Sequence, residues 1–161
     1  MKTVSFVAAT SNSGKTTLIE KVVRILKERG SRVAVIKHAP KGFDFDRPGK
    51  DSWRFREAGA DAVMLVGPDR MALMKDLSRE PSFDDLAMML QDVDVLLREG
   101  FKEDTKNKIE VFRKGISGEQ PLCMTDRSFL ALASDVPFSV AIPQFNLNDA
   151  AAVANFITTK L

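Results

Sequence analysis

The alternation of apolar and polar positions predicts a chain in which strands and helices take turns. Residues 3–8 form an apolar run typical of a buried strand, and apolar residues at helical spacing follow from 18 to 26. Residues 32–37 indicate a second strand. At the end of the chain, Asn148 or Asp149 can cap a last helix. This order predicts an α/β fold built on a mostly parallel sheet.

The middle of the chain continues the pattern. Further strands are predicted at residues 62–66, 71–74, 93–97, 108–113, 129–133 and 139–142, and helices at 52–58 and from 82 to about 90. Gly-Pro-Asp-Arg at 67–70 predicts a hairpin. Asp51 is expected to cap the first of these helices, and Ser82 with Asp85 the second. Residues 114–128 carry the weakest pattern, and we expect a surface excursion there.

Composition narrows the class of protein. The chain has 161 residues, 44% of them hydrophobic, and a formal net charge of +2. We therefore expect one domain spanning residues 1–161, in the cytoplasm, with neither nucleic acid nor a membrane as partner. No apolar run approaches the about 20 residues of a membrane span, and the first is too short for a signal peptide. The single cysteine, Cys123, excludes an internal disulfide and a cysteine-based zinc site.

The strongest motif lies between the first strand and the first helix. Residues 9–17 are Ala-Thr-Ser-Asn-Ser-Gly-Lys-Thr-Thr, which matches the phosphate-binding loop pattern except that Ala9 replaces its first glycine. Small residues let backbone N–H groups surround a phosphate at the positive end of a helix. Lys15 is expected to reach the β- and γ-phosphates, and the Thr16 hydroxyl to hold Mg²⁺. The motif predicts a nucleoside triphosphate site.

A second acid is needed to position the magnesium ion. Glu99 is preferred over Asp94, because ligands gather at the carboxyl ends of parallel strands and Glu99 lies at that end. The mixed-charge stretch from Lys37 onward, which contains Asp44, is either part of this site or a solvated surface loop. Within it, Lys37 and Asp46 are the preferred candidates.

Two segments are candidates for reading the base. Residues 107–110, Asn-Lys-Ile-Glu, resemble the N-K-x-D motif of GTPases, but glutamate replaces aspartate and the motif begins a strand instead of ending one. Asp135 follows a predicted strand, and its carboxylate could accept the N1 and N2 hydrogens of guanine. A plain turn cap at Asp135 is the alternative, and the sequence leaves both open.

Several motifs occur together and in order. They are the phosphate loop, Val-Ile-Lys-His at 35–38, Phe-Asp-Phe-Asp-Arg-Pro-Gly-Lys-Asp-Ser at 43–52, Arg-Glu-Ala-Gly-Ala at 56–60 and Glu-Gly-Phe-Lys at 99–102. This set resembles the family of protein B of molybdopterin-guanine dinucleotide biosynthesis (MobB), from residue 3 to about 113. The resemblance implies a three-layer P-loop NTPase fold with helices on both faces of the sheet and an edge hairpin.

The resemblance also implies a function. MobB proteins bind GTP with Mg²⁺, hydrolyse it weakly, form homodimers and act as adapters for the guanylyltransferase that attaches GMP to molybdopterin. Direct contact with molybdopterin is left open. The implied nucleotide contacts are Asn12, Ser13, Gly14, Lys15, Thr16 and Thr17. Lys15 and Asp51 are the implied catalytic residues, and Thr16, Asp46 and Glu99 the metal ligands.

One departure and one alternative accompany this interpretation. The family usually has several histidines after the Ile-Lys-His strand, whereas His38 is followed here by Ala-Pro-Lys, so no histidine cluster is carried over. The alternative is a small-molecule kinase or ATP-dependent ligase that resembles dethiobiotin synthetase. A nickel- or cobalt-insertion GTPase is disfavoured by the single histidine and single cysteine. The hairpin at 62–74 could pair two chains.

Overall fold

The computed structural model describes residues 1–43, 46–103 and 106–161. These form two compact units, one of residues 1–39 and 90–161 and the other of residues 40–89. In chain order the elements are β1 (Lys2–Val7), α1 (Lys15–Glu28), β2 (Val33–Lys37), α2 (Asp51–Glu57), β3 (Ala62–Val66), β4 (Met71–Lys75), α3 (Phe83–Met88), β5 (Val95–Glu99), β6 (Lys108–Phe112), a 3₁₀ turn (Leu122–Met124), β7 (Phe129–Ser134), β8 (Gln144–Asn146) and α4 (Ala150–Lys160).

The larger unit is built on a six-stranded sheet in the order β2-β5-β1-β6-β7-β8. Every pair of neighbouring strands in it is parallel, which confirms the predicted α/β class. β1 lies between β5 and β6, and Phe6 of β1 pairs in register with Glu99 of β5, which in turn pairs with Lys37 of β2. The carboxyl ends of these strands therefore meet at one edge of the sheet, where the phosphate loop begins.

One face of this sheet carries the hydrophobic core. Helices α1 and α4 pack there, and Leu18, Val22 and Leu26 of α1 are buried together with Val153 and Ile157 of α4. Their spacing of three or four residues is what the sequence pattern predicted. Each such side chain, when fully buried, contributes about 1.5–3 kcal/mol to folding. The core thus fixes the start of α1 against the end of β1.

The opposite face of the sheet is polar where β6 crosses it. Successive strand residues point to opposite faces, so Lys108 and Glu110 lie away from the helices. Glu110 is fully buried, and its carboxylate accepts hydrogen bonds from the backbone N–H groups of Leu122 and Cys123, both at 2.8 Å. Residues 114–128, predicted to be a surface excursion, therefore include a turn that closes this face. Burial and the nearby Glu110 raise the pKa of the Cys123 thiol to about 12.

A second buried charge on this face is paired. Lys108 Nζ donates a hydrogen bond of 2.6 Å to Asp126 Oδ2 and lies 4.5 Å from the centre of the Phe129 ring. The Lys108 side chain is only 5% exposed, whereas that of Asp126 is 43% exposed. Hydrogen bonds from Lys108 and Ser128 lower the pKa of Asp126 to about 2. The pair ties the start of β6 to the turn before β7.

The smaller unit contains the predicted hairpin. β3 and β4 are antiparallel and form a two-stranded sheet of their own. The predicted capping box is present, since Ser82 and Asp85 bond each other's backbone N–H groups before α3. Asp51 was predicted to cap α2, and this is wrong. Asp51 is the first residue of the helix, and Lys50 occupies the cap position without a side-chain hydrogen bond.

Two strand predictions were displaced. Residues 139–142 are not a strand, and the strand begins only at Gln144 as β8. The Gln144 side chain accepts a hydrogen bond from the Phe138 N–H and donates one to the Val136 carbonyl. These two bonds hold the residues before β8 in a turn. β5 begins at Val95 and not at residue 93, because Asp94 accepts the backbone N–H and guanidinium of Arg32. Within the described ranges, every helix is too short or too polar to span a bilayer.

We expect Asp126→Asn to destabilise the protein at neutral pH by about 1–3 kcal/mol, because it leaves the buried Lys108 ammonium poorly partnered. The folded pKa of Asp126 is depressed, so its contribution is present above the unfolded pKa of about 4 and is lost as pH falls through the folded pKa of about 2. Urea unfolding of both proteins from pH 7 to pH 2 measures this, with Asp61→Asn, at an exposed position of the smaller unit, as control. A difference that persists unchanged at pH 2 would contradict the assignment.

Candidate functional site

The phosphate loop joins β1 to α1 through two left-handed residues. Asn12 has φ 62° and Gly14 has φ 93°, and Ser13 between them is fully buried. Residues that alternate between right- and left-handed conformations turn successive N–H groups toward one centre, which suits an anion. Gly14 precedes the first residue of α1, so the positive end of a 14-residue helix points to the same place.

Lys15 lies back along this loop. Its ammonium donates to the Thr10 carbonyl at 3.1 Å and to Ser13 Oγ at 3.3 Å. The pKa of Lys15 is lowered from its ordinary value mainly by burial, an effect that Glu99 opposes and that Lys102 and Lys37 reinforce. A bound phosphate would raise the pKa of Lys15 again, because its negative charge favours the protonated amine.

Thr16 and Glu99 meet beside the loop, as the placement of Glu99 at the strand end requires. Thr16 Oγ1 donates to Glu99 Oε1 at 2.8 Å, and Lys37 Nζ lies 3.9 Å from Glu99 Oε2. A hydroxyl oxygen and a carboxylate oxygen are typical protein ligands of Mg²⁺ at phosphate sites. Asp94, the rejected alternative, lies before β5 and is paired with Arg32, whose hydrogen bonds lower the pKa of Asp94 to about 2.

Residues 99–102, Glu-Gly-Phe-Lys, make local contacts that explain why these residue types are found there. Gly100 has φ 97°, and a Cβ placed on it would lie 3.2 Å from His38 Cβ. Phe101, also left-handed with φ 53°, stacks its ring on His38 with 5.0 Å between ring centres. Lys102 Nζ then donates to the Ala9 carbonyl at 2.7 Å. The stretch therefore fastens the end of β5 to both the phosphate loop and the end of β2.

These residues line a cavity of about 560 Å³ in the larger unit. Its lining consists of Ser11, Asn12, Gly14, Lys15, Thr16, Thr17, Lys37, His38, Glu99, Gly100 and Arg113. Sequence reasoning missed Arg113, which it treated as the last residue of a strand. The available signal was its place at the carboxyl end of the strand next to β1, since parallel strands bring such ends to one edge.

Two of the predicted site residues, Asp46 and Asp51, belong to the smaller unit. Asp46, in the smaller unit, accepts hydrogen bonds from the Arg47 backbone N–H and Ser52 Oγ, both at 2.9 Å. Asp51, in the same unit, has its Oδ1 atom 3.7 Å from Arg54 Nη1. Their roles as metal ligand and catalytic residue stay predictions. Asp44 falls outside the described residues.

Asp135 directly follows β7. One of its carboxylate oxygens accepts the Lys114 backbone N–H at 2.9 Å, so the turn-cap alternative describes at least part of its role. Asp135 is nevertheless exposed and lines a second cavity, of about 330 Å³, between the ends of β7 and β8. Base reading by Asp135 stays a prediction. Residues 107–110 are structural, because Lys108 and Glu110 are buried and bonded to Asp126 and to the 3₁₀ turn.

Comparison with known proteins adds to this geometry. Residues 4–135 match the family described as MobB, molybdopterin guanine dinucleotide synthesis protein B. The chain is similar to the molybdopterin-guanine dinucleotide biosynthesis adapter proteins of Escherichia coli (strain K12), with 37% identity over 93% of this chain and 88% of that protein, and of Haemophilus influenzae, with 37% identity over 94% and 85%.

Solved structures agree with the fold. The crystal structure of a molybdopterin-guanine biosynthesis protein B (mobB) superposes with a TM-score of 0.78 at 30% identity, covering 99% of each chain. Bacillus subtilis MobB gives a TM-score of 0.77 at 24% identity, which supports the fold alone. These matches confirm the predicted α/β phosphate-loop fold. With a family match over most of its length and relatives at 37% identity, the chain belongs to the MobB family of molybdopterin-guanine dinucleotide biosynthesis proteins.

Proposed function

We propose that this chain is a GTP-binding, weakly GTP-hydrolysing adapter that supports the guanylyltransferase step of molybdopterin-guanine dinucleotide formation. The observation that carries the nucleotide part is the 2.8 Å contact of Thr16 with Glu99 beside the Lys15 ammonium, in a cavity at the head of α1. The adapter part is supported by the names of the relatives, which are adapter proteins of this biosynthesis.

In this proposal the loop holds the phosphates and the cations balance their charge. Backbone N–H groups of residues 12–16 bind the phosphates, and Lys15 leaves its loop partners to reach the β- and γ-oxygens. Thr16 and Glu99 would hold Mg²⁺, which would neutralise negative charge on those oxygens. Lys37, close to Glu99, adds positive charge on the same side.

The carboxylates that line the cavity are consistent with slow hydrolysis of GTP. Among the described lining residues of the cavity, Glu99 is the only carboxylate, and it is already engaged by Thr16 and Lys37. A general base must lie within hydrogen-bond reach of the attacking water and have a free oxygen. Asp51, in the smaller unit, is proposed as a catalytic residue on the family resemblance alone. The described lining residues of the cavity offer no free carboxylate as a general base, and this supports slow hydrolysis.

Guanine selectivity is assigned to Asp135 in this proposal. The strand order places the end of β7 two strands away from the phosphate loop, on the side opposite Glu99. The carboxylate oxygen of Asp135 that Lys114 leaves unused can accept the N1 and N2 hydrogens of guanine, which adenine lacks. Preference for ATP would instead support the kinase or ligase alternative.

The proposed homodimer has a candidate surface on the hairpin. Met64 and Val66 of β3 pair in register with Leu73 and Met71 of β4, so the four side chains share one face. Their exposed fractions run from 45% for Leu73 to 76% for Val66. An apolar hairpin face of this kind is typical of a surface that a second chain covers.

Lys15→Ala should weaken GTP binding by about ten- to a hundredfold or more, because charged hydrogen bonds to phosphate contribute about 1.5–3 kcal/mol each. Calorimetric titration with GTP and with ATP, each with Mg²⁺, measures the loss. Lys27→Ala, at the far end of α1, is the matched control. Unchanged GTP affinity in Lys15→Ala would place the nucleotide elsewhere, and a wild-type preference for ATP would overturn the guanine assignment.

Glu99→Gln should abolish most of the gain in GTP affinity that Mg²⁺ provides, while affinity in excess EDTA changes little. The amide keeps the size of the carboxylate but removes the charge that holds the metal. The measurement is GTP affinity with and without Mg²⁺, and Asp94→Asn, at the other end of the strand, is the control. An undiminished magnesium effect in Glu99→Gln would rule out this residue as a ligand.

Replacing Met64 and Met71 together by glutamate should halve the mass in solution from twice the 17.8 kDa of one chain, since charge on an apolar contact face disfavours association. Light scattering coupled to gel filtration reports the mass. Met88→Glu changes an equally exposed methionine of α3 and should leave the dimer intact. A double variant that remains dimeric would exclude this hairpin face as the interface.

A further inference from the structure

Arg113 is a cation of the phosphate cavity to which the proposed function gives no task. It directly follows β6, and a Cβ placed on Gly14 would lie 3.1 Å from its Nη2 atom and 3.6 Å from its Cζ atom. The guanidinium therefore rests against Gly14 of the phosphate loop, and a Cβ at that position would force it to shift by a few tenths of an ångström. Leu147 Cδ2 lies on the same side, 3.8 Å from that position.

The guanidinium has no protein partner in the part of the chain that the structure describes. The hydrogen bonds of Arg113 are made by its backbone N–H and carbonyl, and no described carboxylate lies within ion-pair distance of its side chain. Arg113 is only partly exposed, and Lys15 lines the same cavity. A half-buried guanidinium with five donors beside another cation is stabilised by an anion that offers several oxygens, and phosphate fits that geometry best.

The backbone that carries Arg113 is fixed before any ligand binds. The Arg113 N–H donates to Ser117 Oγ at 2.9 Å, and the N–H groups of Ile116 and Ser117 donate to the Arg113 carbonyl at 3.1 and 2.9 Å. Thr10 of the phosphate loop donates from Oγ1 to the Ile116 carbonyl at 2.9 Å. Ser117 is buried. The backbone of the turn after β6 is therefore tied to the phosphate loop before binding, and the ordering cost that remains is that of the Arg113 and Lys15 side chains.

The strand order says which phosphate Arg113 faces. Thr16 and Glu99, over β1 and β5, mark the side on which a metal ion would neutralise charge on the β- and γ-phosphates, and Lys37 of β2 lies on that side too. β6 lies on the other side of β1, toward β7 and Asp135. A nucleotide that runs from the metal across the loop toward β7 passes β6 with its α-phosphate.

We propose that Arg113 binds the α-phosphate of the guanine nucleotide, opposite Lys15 and the metal side of the loop. This inference rests on the proposed function, because it requires that GTP occupy the loop. It makes Arg113 a contact shared by every nucleotide with an α-phosphate. Lys15 and the metal ligands, by contrast, act on the β- and γ-phosphates, both of which GMP lacks.

The test is calorimetric titration of Arg113→Gln with GTP, GDP and GMP, each with Mg²⁺. All three affinities should fall by about tenfold or more and by the same factor, because the lost contact is common to the three ligands. Arg113→Lys keeps the charge and the apolar stem but not the planar fork, and should recover only part of the loss. Arg29→Gln, an exposed arginine at the far end of α1, is the matched control and should bind as the wild type does.

The outcomes separate this inference from the proposed function. If the wild type and Arg29→Gln bind GTP but Arg113→Gln binds all three nucleotides unchanged, the α-phosphate contact is refuted and the nucleotide site stands. A loss confined to GTP would place the arginine at the γ-phosphate, and a loss for GTP and GDP but not for GMP would place it at the β-phosphate; either result also refutes the α-phosphate contact. If the wild type binds no guanine nucleotide, the proposed function itself fails. Thermal melting by circular dichroism checks that Arg113→Gln folds, and Arg113→Lys carries the same comparison if it does not.

Discussion

The parallel pairing of β1 with β5 and β6 is the constraint on which the site depends. β1 ends in the phosphate loop, and its register with β5 sets Glu99 opposite Phe6. The Thr16 hydroxyl, on the second residue of α1, can then reach the Glu99 carboxylate at 2.8 Å. On the other flank the pairing with β6 brings Arg113 against Gly14. A slip of one residue in either pairing would turn these side chains to the wrong face.

The loops of the site are held by the scaffold and not by a ligand. Hydrogen bonds from Lys102 to the Ala9 carbonyl and from Thr10 to the Ile116 carbonyl fasten both ends of the cavity to the phosphate loop. Below them, the buried Glu110 carboxylate orients the 3₁₀ turn by accepting two backbone N–H groups. A buried acceptor of this kind is stable only when it is satisfied, and here its two hydrogen bonds tie the 3₁₀ turn to β6.

Local patterns were sufficient for most of the fold. Apolar periodicity located α1 and α4, and turn residues located the hairpin of β3 and β4. The errors occurred where a side chain competes with the local pattern. Gln144 holds the preceding residues in a turn, and Asp94 takes the Arg32 N–H before β5 can begin. Arg32 is remote in sequence from β5, and Gln144 lies in a segment with strand-like composition. Periodicity alone therefore reveals neither contact.

The sequence by itself determined the phosphate loop, the parallel α/β class and the resemblance to MobB, because these depend on residue types at fixed short spacings. It also placed Glu99 at the correct sheet edge, since that follows from the end of one strand. Only the tertiary structure showed that Arg113 belongs to the same cavity and that Glu110 is a buried support. Those facts depend on which strands are neighbours, and strand order comes from packing between residues about 100 positions apart in the chain, as between β1 and β6.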